Sequence, residues 1–385
     1  MTSDLVARLE GGVAEIDAAA WDACAGSGNP FLSHALLSAL ETSGSATHQT
    51  GWQPIPIVIA VADGALAGAM PAYAKSHSQG EYVFDHGWAD AWHRAGGQYY
   101  PKLQIAVPFT PVPGPRLLTE DEDVARALIA AAEGVVEKHG LSSAHATFLE
   151  PRDIERFRAA GWLIREGTQF HWANAGYTCF DDFLASLASR KRKAIRKERA
   201  TARAGLEIIG LTGNAITEAH WDAFWHFYQD TGARKWGRPY LTREFFSQIS
   251  ATMADKIYLI LAQRDGRPIA GALNLIGADA LYGRYWGCSE DVPCLHFELC
   301  YYQAIDFAIA NGLSRVEAGA QGEHKLARGY LPVPTWSAHY IADAGFRGAI
   351  ADFIAREQRS VERDMEFLAE LGPFRKGGVI AKSLP

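Results

Sequence analysis

Short apolar runs joined by Asp-Gly turns recur in both halves of the chain. An apolar run that ends at Asp-Gly and is followed by a second apolar run predicts a β-hairpin with a tight turn. The first hairpin is predicted over residues 56–62, Asp63-Gly64 and 66–73, and the second over 258–262, Asp265-Gly266 and 269–273. The two halves of the chain therefore open on the same predicted unit.

Further matches follow the hairpins in the same order. An aromatic segment over 81–88 corresponds to 280–286, and amphipathic helices are predicted over 123–139 and 297–310. His139-Gly140-Leu141-Ser142 corresponds to Asn311-Gly312-Leu313-Ser314, and each half closes on a matching pattern, Gly161-Trp162-Leu163 with His171-Trp172 and Gly329-Tyr330-Leu331 with His339-Tyr340. Ordered matches of this kind indicate an internal duplication.

The mixture of hairpins with one helix before a late strand predicts an α/β layered fold. We expect two similar domains, each a mixed, mostly antiparallel sheet flanked by helices, with a cleft between them. The predicted boundaries are 1–178 for the first domain, 179–204 for a basic helical connector and 205–385 for the second domain. A long amphipathic helix over 343–371 is expected to lie across the second domain.

The connector carries eight basic residues and one acid, Glu198, within residues 189–203. Like charges four residues apart destabilise a helix, so such a cluster is expected to meet phosphates of a CoA tail, a tRNA, a nucleotide sugar or an anionic lipid. The alternative is a solvated helix face. The candidate phosphate-binding residues are Arg192, Lys193, Arg196 and Lys197.

Composition narrows the class of protein. With 385 residues, 21% charged and 48% hydrophobic, the chain has the profile of a folded globular protein. Its net charge of −7 argues against a general nucleic-acid coat and against DNA as a partner. Five scattered cysteines predict free thiols and no metal site. The start of the chain has no signal-peptide pattern, so we expect a cytoplasmic protein, with contact at the inner face of the membrane left open.

Groups able to move protons are concentrated after the predicted strand 314–318. Carboxylates, an imidazole and an ammonium within twelve residues can serve as acid, base and oxyanion stabiliser, and the alternative is a charged loop with no chemistry. These residues are Glu317, Glu323, His324, Lys325 and Arg328, interspersed with Gly319, Gly322 and Gly329.

A second loop combines cations with large aromatic side chains, whose exposure usually serves binding. Its candidate substrate-binding residues are Lys235, Trp236, Arg238 and Tyr240. We assign Asp85, His86, Glu317 and Gln321 to the same substrate-binding set.

Together these segments resemble the FemAB-like N-acyltransferases of the GNAT superfamily. The resemblance covers about residues 29–363 and is carried by the duplication, the basic helix, the run Phe-Glu-Leu-Cys-Tyr-Tyr-Gln-Ala-Ile-Asp-Phe-Ala from residue 297, and Glu-Ala-Gly-Ala-Gln-Gly-Glu-His-Lys-Leu-Ala-Arg-Gly-Tyr from residue 317. It implies tandem GNAT-like domains and transfer of an acyl group from an activated donor to an amine.

The resemblance also implies roles for individual residues. Lys325-Leu326-Ala327-Arg328-Gly329 matches a Lys-x-x-[Phe/Arg]-Gly piece of the Fem ligases, in which the lysine lies near the reacting carbonyl. Lys325 is then the oxyanion or phosphate stabiliser, His324 or Glu323 the base, and Glu298 a second candidate base. Tyr285 or Tyr330 would return a proton to a leaving thiolate.

One feature departs from ordinary GNAT acetyltransferases, which hold the CoA diphosphate on a glycine-containing loop at a helix N-terminus. Residues 291–297 occupy that place and contain no glycine. We therefore expect an acyl donor such as acyl-CoA to act as a co-substrate bound in another way, with contacts from His296 and Arg328, and no tightly bound cofactor.

Three functions remain open. The first is transfer from a long-chain acyl thioester to an amine on a small molecule or lipid, such as a sphingoid base. The second is a tRNA-dependent ligase of peptidoglycan precursors. It is disfavoured because Fem ligases carry a long coiled-coil arm in the second half, whereas the basic segment here is short and lies between the halves. The third is a non-catalytic binding protein that retains the fold. Because Glu150-Pro151-Arg152-Asp153 stands where the second half has its Glu-His-Lys run, the first domain is expected not to catalyse.

Overall fold

Two strands of eleven residues each, Leu163–Ala173 and Leu331–Ile341, close the two sequence repeats. Their equal lengths and matching positions, with Trp162 and Tyr330 buried just before each strand, support the duplication. The structure is a computed structural model and describes residues 5–235, 239–319 and 322–375.

The chain divides into two units whose boundaries differ from the expected linear ones. Unit 1 comprises residues 1–167 and 334–363, and unit 2 comprises 168–333 and 364–385. The difference arises because the closing strand of each repeat contributes to the other repeat's unit. The segment expected to be a connector, 179–204, lies within unit 2.

Unit 1 contains two sheets with helices packed on them. Its strands are β1 (Val6–Leu9), β2 (Trp52–Pro54), β3 (Ile57–Ala60), β4 (Leu66–Met70), β5 (Ala72–Lys75), β6 (Lys102–Ile105) and β7 (Ser143–Leu149), joined by the start of β8 (Leu163–Ala173) and most of β14 (Leu331–Ile341). Its helices are α1 (Ala18–Ala25), α2 (His34–Thr42), α3 (His86–Arg94), α4 (Glu122–His139) and α5 (Pro151–Ala159). One sheet has the order β1-β3-β4, and the other runs β2-β5-β6-β7-β14.

Unit 2 is built on a longer hairpin sheet. Its helices are α6 (Phe180–Ser186), α7 (Ser189–Arg203), α8 (Glu218–Lys235), α9 (Arg243–Met253), α10 (Leu295–Phe297) and α11 (Gln303–Ala310), with a π-helix, Glu298–Tyr302, between the last two. Its strands are β9 (Glu207–Thr212), β10 (Ile257–Arg264), β11 (Arg267–Ile276), β12 (Ala280–Cys288) and β13 (Arg315–Glu317), and the sheet order from the end of β8 is β8-β13-β12-β11-β10-β9.

The predicted returning strand 66–73 of unit 1 is interrupted at Pro71, whereas its counterpart β11 is continuous. Proline has no N–H to donate to a strand ladder, so β4 and β5 pair in different sheets. The helix predicted over 123–139 is observed as α4, and Ser33 caps α2 by accepting from the Leu36 amide.

Two expectations about the fold are wrong. Segment 81–88 does not correspond to β12, because this segment includes the start of helix α3. The counterpart of β12 is β6. Each of these two strands pairs on one side with an antiparallel hairpin strand and on the other with a later, parallel strand. The long tail helix, α12 (Ala344–Glu370), packs Phe346, Ile350 and Ile354 of its first part against Trp88 and Tyr99 of unit 1, and only its end, with Leu368, packs on the core of unit 2.

Candidate active site

The predicted chemical loop follows β13, as expected, and its backbone requires glycine at two positions. Gly322 has φ 119°, and a Cβ there would lie 2.5 Å from the His324 ring. Gly329 has φ 88°, and a Cβ would lie 2.8 Å from Phe183. Between these glycines the chain forms a 3₁₀-helix, Glu323–Arg328, that fixes the direction of its side chains.

Lys325 lies at the centre of this loop and is only 1% exposed. Its Nζ donates a hydrogen bond to the Gly319 carbonyl oxygen at 2.7 Å. Burial lowers the pKa of Lys325 to about 7, with a smaller opposing effect from Cys300. Among the described side chains, no carboxylate forms an ion pair with this ammonium. A buried, uncompensated ammonium is suited to stabilise a developing negative charge.

His324 lies beside Lys325 on the exposed side of the loop. Its Nε2 is 2.8 Å from the Tyr301 hydroxyl, and its ring centroid is 6.0 Å from that of His296 and 5.9 Å from that of Phe297. Tyr301 belongs to the π-helix, a rare element that is often found at functional sites. The π-helix and the loop thus place a phenol and an imidazole in contact.

Arg328 was expected to bind phosphate, but the structure engages its guanidinium within the protein. Its Nη2 donates to both carboxylate oxygens of Glu198 at 3.0 Å, and its Nη1 donates to the His324 carbonyl at 2.7 Å. The guanidinium carbon lies 3.4 Å from the centroid of the Phe297 ring. A phosphate would have to displace Glu198 to reach these donors.

Glu298, a candidate base, is completely buried and held by cations. Its carboxylate accepts from Arg199 at 3.0 and 3.1 Å, from Arg203 at 2.8 Å and from Gln303 at 2.8 Å. These contacts use its lone pairs to join helix α7 to the π-helix. The observed role is therefore structural, and the expected role of base is not supported by this geometry.

A third set of titratable groups lies at the end of β13. Glu317 accepts from Arg315 at 2.9 Å with one oxygen, while its other oxygen is buried and 3.7 Å from Nε2 of His171. Burial raises the pKa of Glu317 to about 7 although Arg315 opposes the shift. Burial, with the charges of Arg315 and Lys325, lowers the pKa of His171 to about 3. Glu317 can therefore hold or release a proton near neutral pH.

Comparison with known proteins identifies the family. The chain matches the FemAB-like family, described as peptidoglycan biosynthesis/recognition, over residues 12–376. This chain belongs to the FemAB-like family. Among curated proteins, no relative matches it.

Solved structures show the same fold at low sequence identity. FemX is 13% identical, covers 88% of this chain and 99% of its own, and superposes with a TM-score of 0.55. L-PGS from Bacillus licheniformis is 12% identical, with 91% and 98% covered and a TM-score of 0.50. A conserved protein of unknown function from Bacteroides thetaiotaomicron VPI-5482 is 11% identical, with 87% and 100% covered and a TM-score of 0.50. The expected α/β layered fold, with mixed, mostly antiparallel strands flanked by helices, is confirmed.

In this FemAB-like protein the basic helix α7 presents two sets of cations. Arg199 and Arg203 contact Glu298, and Arg196 pairs with Asp181 at 3.0 Å on the surface. Lys193 and Lys197 are exposed, and Arg192 is half-buried. Of the predicted phosphate-binding set, Lys193, Arg196 and Lys197 therefore lie on the outer face of α7, and Arg192 is partly covered.

The remaining predicted residues of unit 2 are only partly described. Tyr285 and Tyr240 both contact Tyr228: the Tyr285 and Tyr228 rings are 5.2 Å apart, and the Tyr240 amide donates to the Tyr228 hydroxyl at 3.1 Å. Burial raises the pKa of Tyr285. Tyr330 is fully buried, with its hydroxyl 3.5 Å from the Tyr301 carbonyl. Trp236, Arg238 and Gln321, and the side chains of Lys235 and Glu323, lie outside the described part of the protein.

Asp85 and His86 lie in unit 1, where Asp85 belongs to a buried polar cluster. Asp85 and Glu81 both accept from the Lys102 ammonium, the latter at 2.7 Å, and the Tyr99 hydroxyl donates to Asp85 at 2.7 Å. Burial alone would raise the pKa of Asp85, but the Lys102 charge holds it below its usual range. His86 is exposed and stacks on Phe84 with ring centroids 6.4 Å apart.

Three further observations concern the rest of the described structure. Within the described residues, no group of three or more His, Cys, Asp or Glu side chains could hold a metal ion, and no helix is both long and apolar enough to cross a membrane. A cavity of about 230 Å³ in unit 1, lined by residues that include Cys24, Arg152 and Arg156, contains none of the predicted site residues.

Sequence reasoning did not assign functional contacts to His171, Tyr301 or Glu198. The closing repeat pattern already marked His171, since it aligns with His339. Glu198 could have been marked as the one acid among eight bases in α7. Tyr301 carried no separate signal, because the π-helix that orients it has no pattern distinct from an α-helix.

Proposed function

We propose that this FemAB-like protein transfers an acyl group from an activated donor to an amine, with Lys325 placed at the reacting carbonyl. The observation that carries the proposal is the buried Lys325 ammonium, which has a backbone carbonyl as its partner and a pKa lowered to about 7. Family membership and the GNAT-like fold support an acyl-transfer or peptidoglycan-related role.

The proposed reaction begins when a neutral amine attacks the donor carbonyl carbon. The carbonyl π electrons move to oxygen, and the protonated Lys325 stabilises this oxyanion. Collapse re-forms the carbonyl, breaks the bond to the leaving sulfur or oxygen and leaves an amide. His324, with Tyr301 on its Nε2, accepts the proton that the amine nitrogen loses and returns one to the leaving group.

We favour a long-chain acyl thioester such as acyl-CoA as donor and an amino-lipid such as a sphingoid base as acceptor. The exposed cations Lys193 and Lys197 on α7 supply charge for a phosphorylated donor. Both acyl-CoA and lipid amine can meet at the inner face of a membrane, so the proposed place of reaction is the cytoplasm with peripheral membrane contact.

A Fem-type reaction, using an aminoacyl-tRNA to extend a peptidoglycan precursor, is the second candidate. It is favoured by the family's description and uses the same nucleophilic acyl substitution, with a ribose hydroxyl as leaving group. The two candidates differ in the donor and in the number of phosphates contacted.

Calorimetry with CoA, palmitoyl-CoA and a charged tRNA at two salt concentrations tests this proposal, followed by product analysis with an amine acceptor. Micromolar binding of palmitoyl-CoA and formation of an amide support the first candidate. Tight tRNA binding that weakens steeply with salt, with no affinity for CoA, supports the second. Binding without any transfer would overturn both and indicate a binding protein.

A further inference from the structure

The Arg328–Glu198 ion pair lies between the basic helix and the loop that carries Lys325. Arg328 is 6% exposed and donates two hydrogen bonds to Glu198. A third hydrogen bond goes from Arg328 to the backbone carbonyl of His324. Together, the three hydrogen bonds fix the orientation of the guanidinium plane. The contact therefore acts on the backbone of the loop as well as on its side chains.

Glu198 is the one acidic residue of α7, and it lies on the side of the helix that contacts Arg328. Tyr302 of the π-helix also donates its hydroxyl hydrogen to Glu198. The neighbouring Lys197 faces outward and is exposed, whereas Glu198 is turned toward Arg328. The side chains of α7 thus divide between an inner face that contacts the loop and an outer face that is cationic.

A second set of ion pairs holds α7, and in this set the helix supplies the cations instead of the carboxylate. Here the cations Arg199 and Arg203 belong to the helix and the carboxylate, Glu298, belongs to the π-helix. The π-helix also carries Tyr301, whose hydroxyl contacts the His324 ring. Both attachments therefore converge on His324, one through its carbonyl and one through its imidazole.

We propose that the Arg328–Glu198 ion pair is a positioning device that holds His324 and Lys325 in register with the cationic face of α7. Arg328 and Glu198 act through the loop and touch no substrate themselves. A donor bound at the outer face of α7 then meets a loop whose geometry is already set. This inference extends the proposed function, and one arm of its test is independent of activity.

The first arm measures how well Lys325 is enclosed. Acetic anhydride labels neutral lysine amines, and mass spectrometry gives the rate at Lys325 relative to the exposed Lys256. In Glu198→Gln and Arg328→Lys, we expect labelling of Lys325 to become at least fivefold faster. Arg243→Lys is the matched control, because Arg243 makes comparable contacts to Glu218, Asp222 and Ser247 in the same unit and, among the described residues, no hydrogen bond to the loop that carries Lys325.

The second arm uses the transfer reaction at a temperature where all variants are folded. Glu198→Gln and Arg328→Lys should each lower kcat by tenfold or more and change the donor KM by less than threefold. The double variant should be no worse than either single one, because both changes remove the same contact. Arg243→Lys should leave both constants unchanged.

Unchanged labelling of Lys325 in both variants would overturn the proposal, as would a large rise in donor KM with kcat intact. The latter result would return Arg328 to the donor-binding set. Failure of the proposed function has a different signature: no transfer by the wild-type protein, with the labelling difference still present.

Discussion

Lys102 of unit 1 and Lys325 of unit 2 are both buried but occupy opposite electrostatic situations. Lys102 in unit 1 is completely buried and contacts two carboxylates, Glu81 and Asp85. Lys325 in unit 2 is equally buried and contacts the Gly319 carbonyl. Burial acts on both to lower the pKa, but at Lys102 the two carboxylates outweigh it and raise the pKa, whereas at Lys325 the pKa falls to about 7.

The difference shows how one residue type can be fixed in its charged form in one unit and remain able to change its charge in the other. A buried ammonium with matched carboxylates is fixed in its charged form and cannot respond to a substrate. An ammonium without such partners changes its protonation near neutral pH and can respond to new negative charge. The units also differ in the residues that lie opposite each other on paired strands. His145 of β7 lies opposite His339 in unit 1, and Glu317 of β13 lies opposite His171 in unit 2.

The largest expected effect on stability is at Lys102. Replacing it by Met leaves Asp85 buried without its ammonium partner and Glu81 with only the more distant Lys75 at 3.9 Å, which costs about 3–5 kcal/mol of the free energy of unfolding. Urea denaturation measures this loss. The triple variant Lys102→Met, Glu81→Gln, Asp85→Asn is the control and should recover much of it, because the two carboxylates that lose Lys102 are then neutral amides. A single Lys102→Met variant with wild-type stability would show that the cluster is not held by charge.

The corresponding change at Lys325 should act on chemistry instead. Lys325→Met removes a desolvated amine with no ion-pair partner among the described side chains, so we expect the free energy of unfolding to fall by less than about 1 kcal/mol or to rise. Acyl transfer should fall about 10²–10³-fold, the usual cost of losing one oxyanion-stabilising donor. Steady-state kinetics and urea denaturation of the same preparation separate the two effects. Full activity in this variant would remove Lys325 from the mechanism.

Local patterns in the sequence predicted much of the fold. Asp-Gly turns and the glycines around Lys325 each act within a few residues, and the structure shows them as expected. The duplication was visible because both closing strands kept the same spacing of aromatic residues and histidine. The exchange of those strands between units was not predictable, since it depends on pairing between segments far apart in the chain.

The details of the site were less accessible for the same reason. Glu198 and Arg328 are 130 residues apart and Glu317 and His171 are 146 apart, so neither contact leaves a local pattern. Charge alone suggested that Arg328 binds phosphate, but the structure gives it Glu198 as partner. Lys102 in a short apolar strand gave no sign that Glu81 and Asp85 would meet it.

The histidines beside the two lysines should make stability depend on pH in both units. Burial is the main cause that lowers the pKa of His145 and of His171 to about 3 from 6.5. Each remains neutral in the fold but takes up a proton in the unfolded chain below pH 6.5, so its contribution is complete above pH 6.5 and is lost as the pH falls toward 3.

His145→Gln and His171→Gln should each reduce the pH dependence of unfolding by up to about 1.4 kcal/mol per pH unit in this window. Denaturant unfolding at pH 4, 5 and 6 measures the slope. Subtracting the slope of the variant from that of the wild-type protein leaves the contribution of the histidine, because both proteins have the same carboxyl groups. Equal slopes would mean that the ring is protonated in the folded state or is replaced without consequence.

The smallest effects are expected at the exposed lysines of helix α7. Lys193 and Lys197 are exposed on α7, so replacing both by Ala should change the free energy of unfolding by less than about 0.5 kcal/mol.

If Lys193 and Lys197 contact donor phosphates, donor affinity falls by up to about fivefold for each lysine that is replaced. The loss is greatest at low salt, because salt screens exposed charges. Calorimetry at two salt concentrations measures this, with Lys256→Ala as the control, since Lys256 is also exposed but lies after α9. An equal loss per lysine in the control would assign the effect to net charge, whereas a loss confined to α7 would assign Lys193 and Lys197 to donor binding.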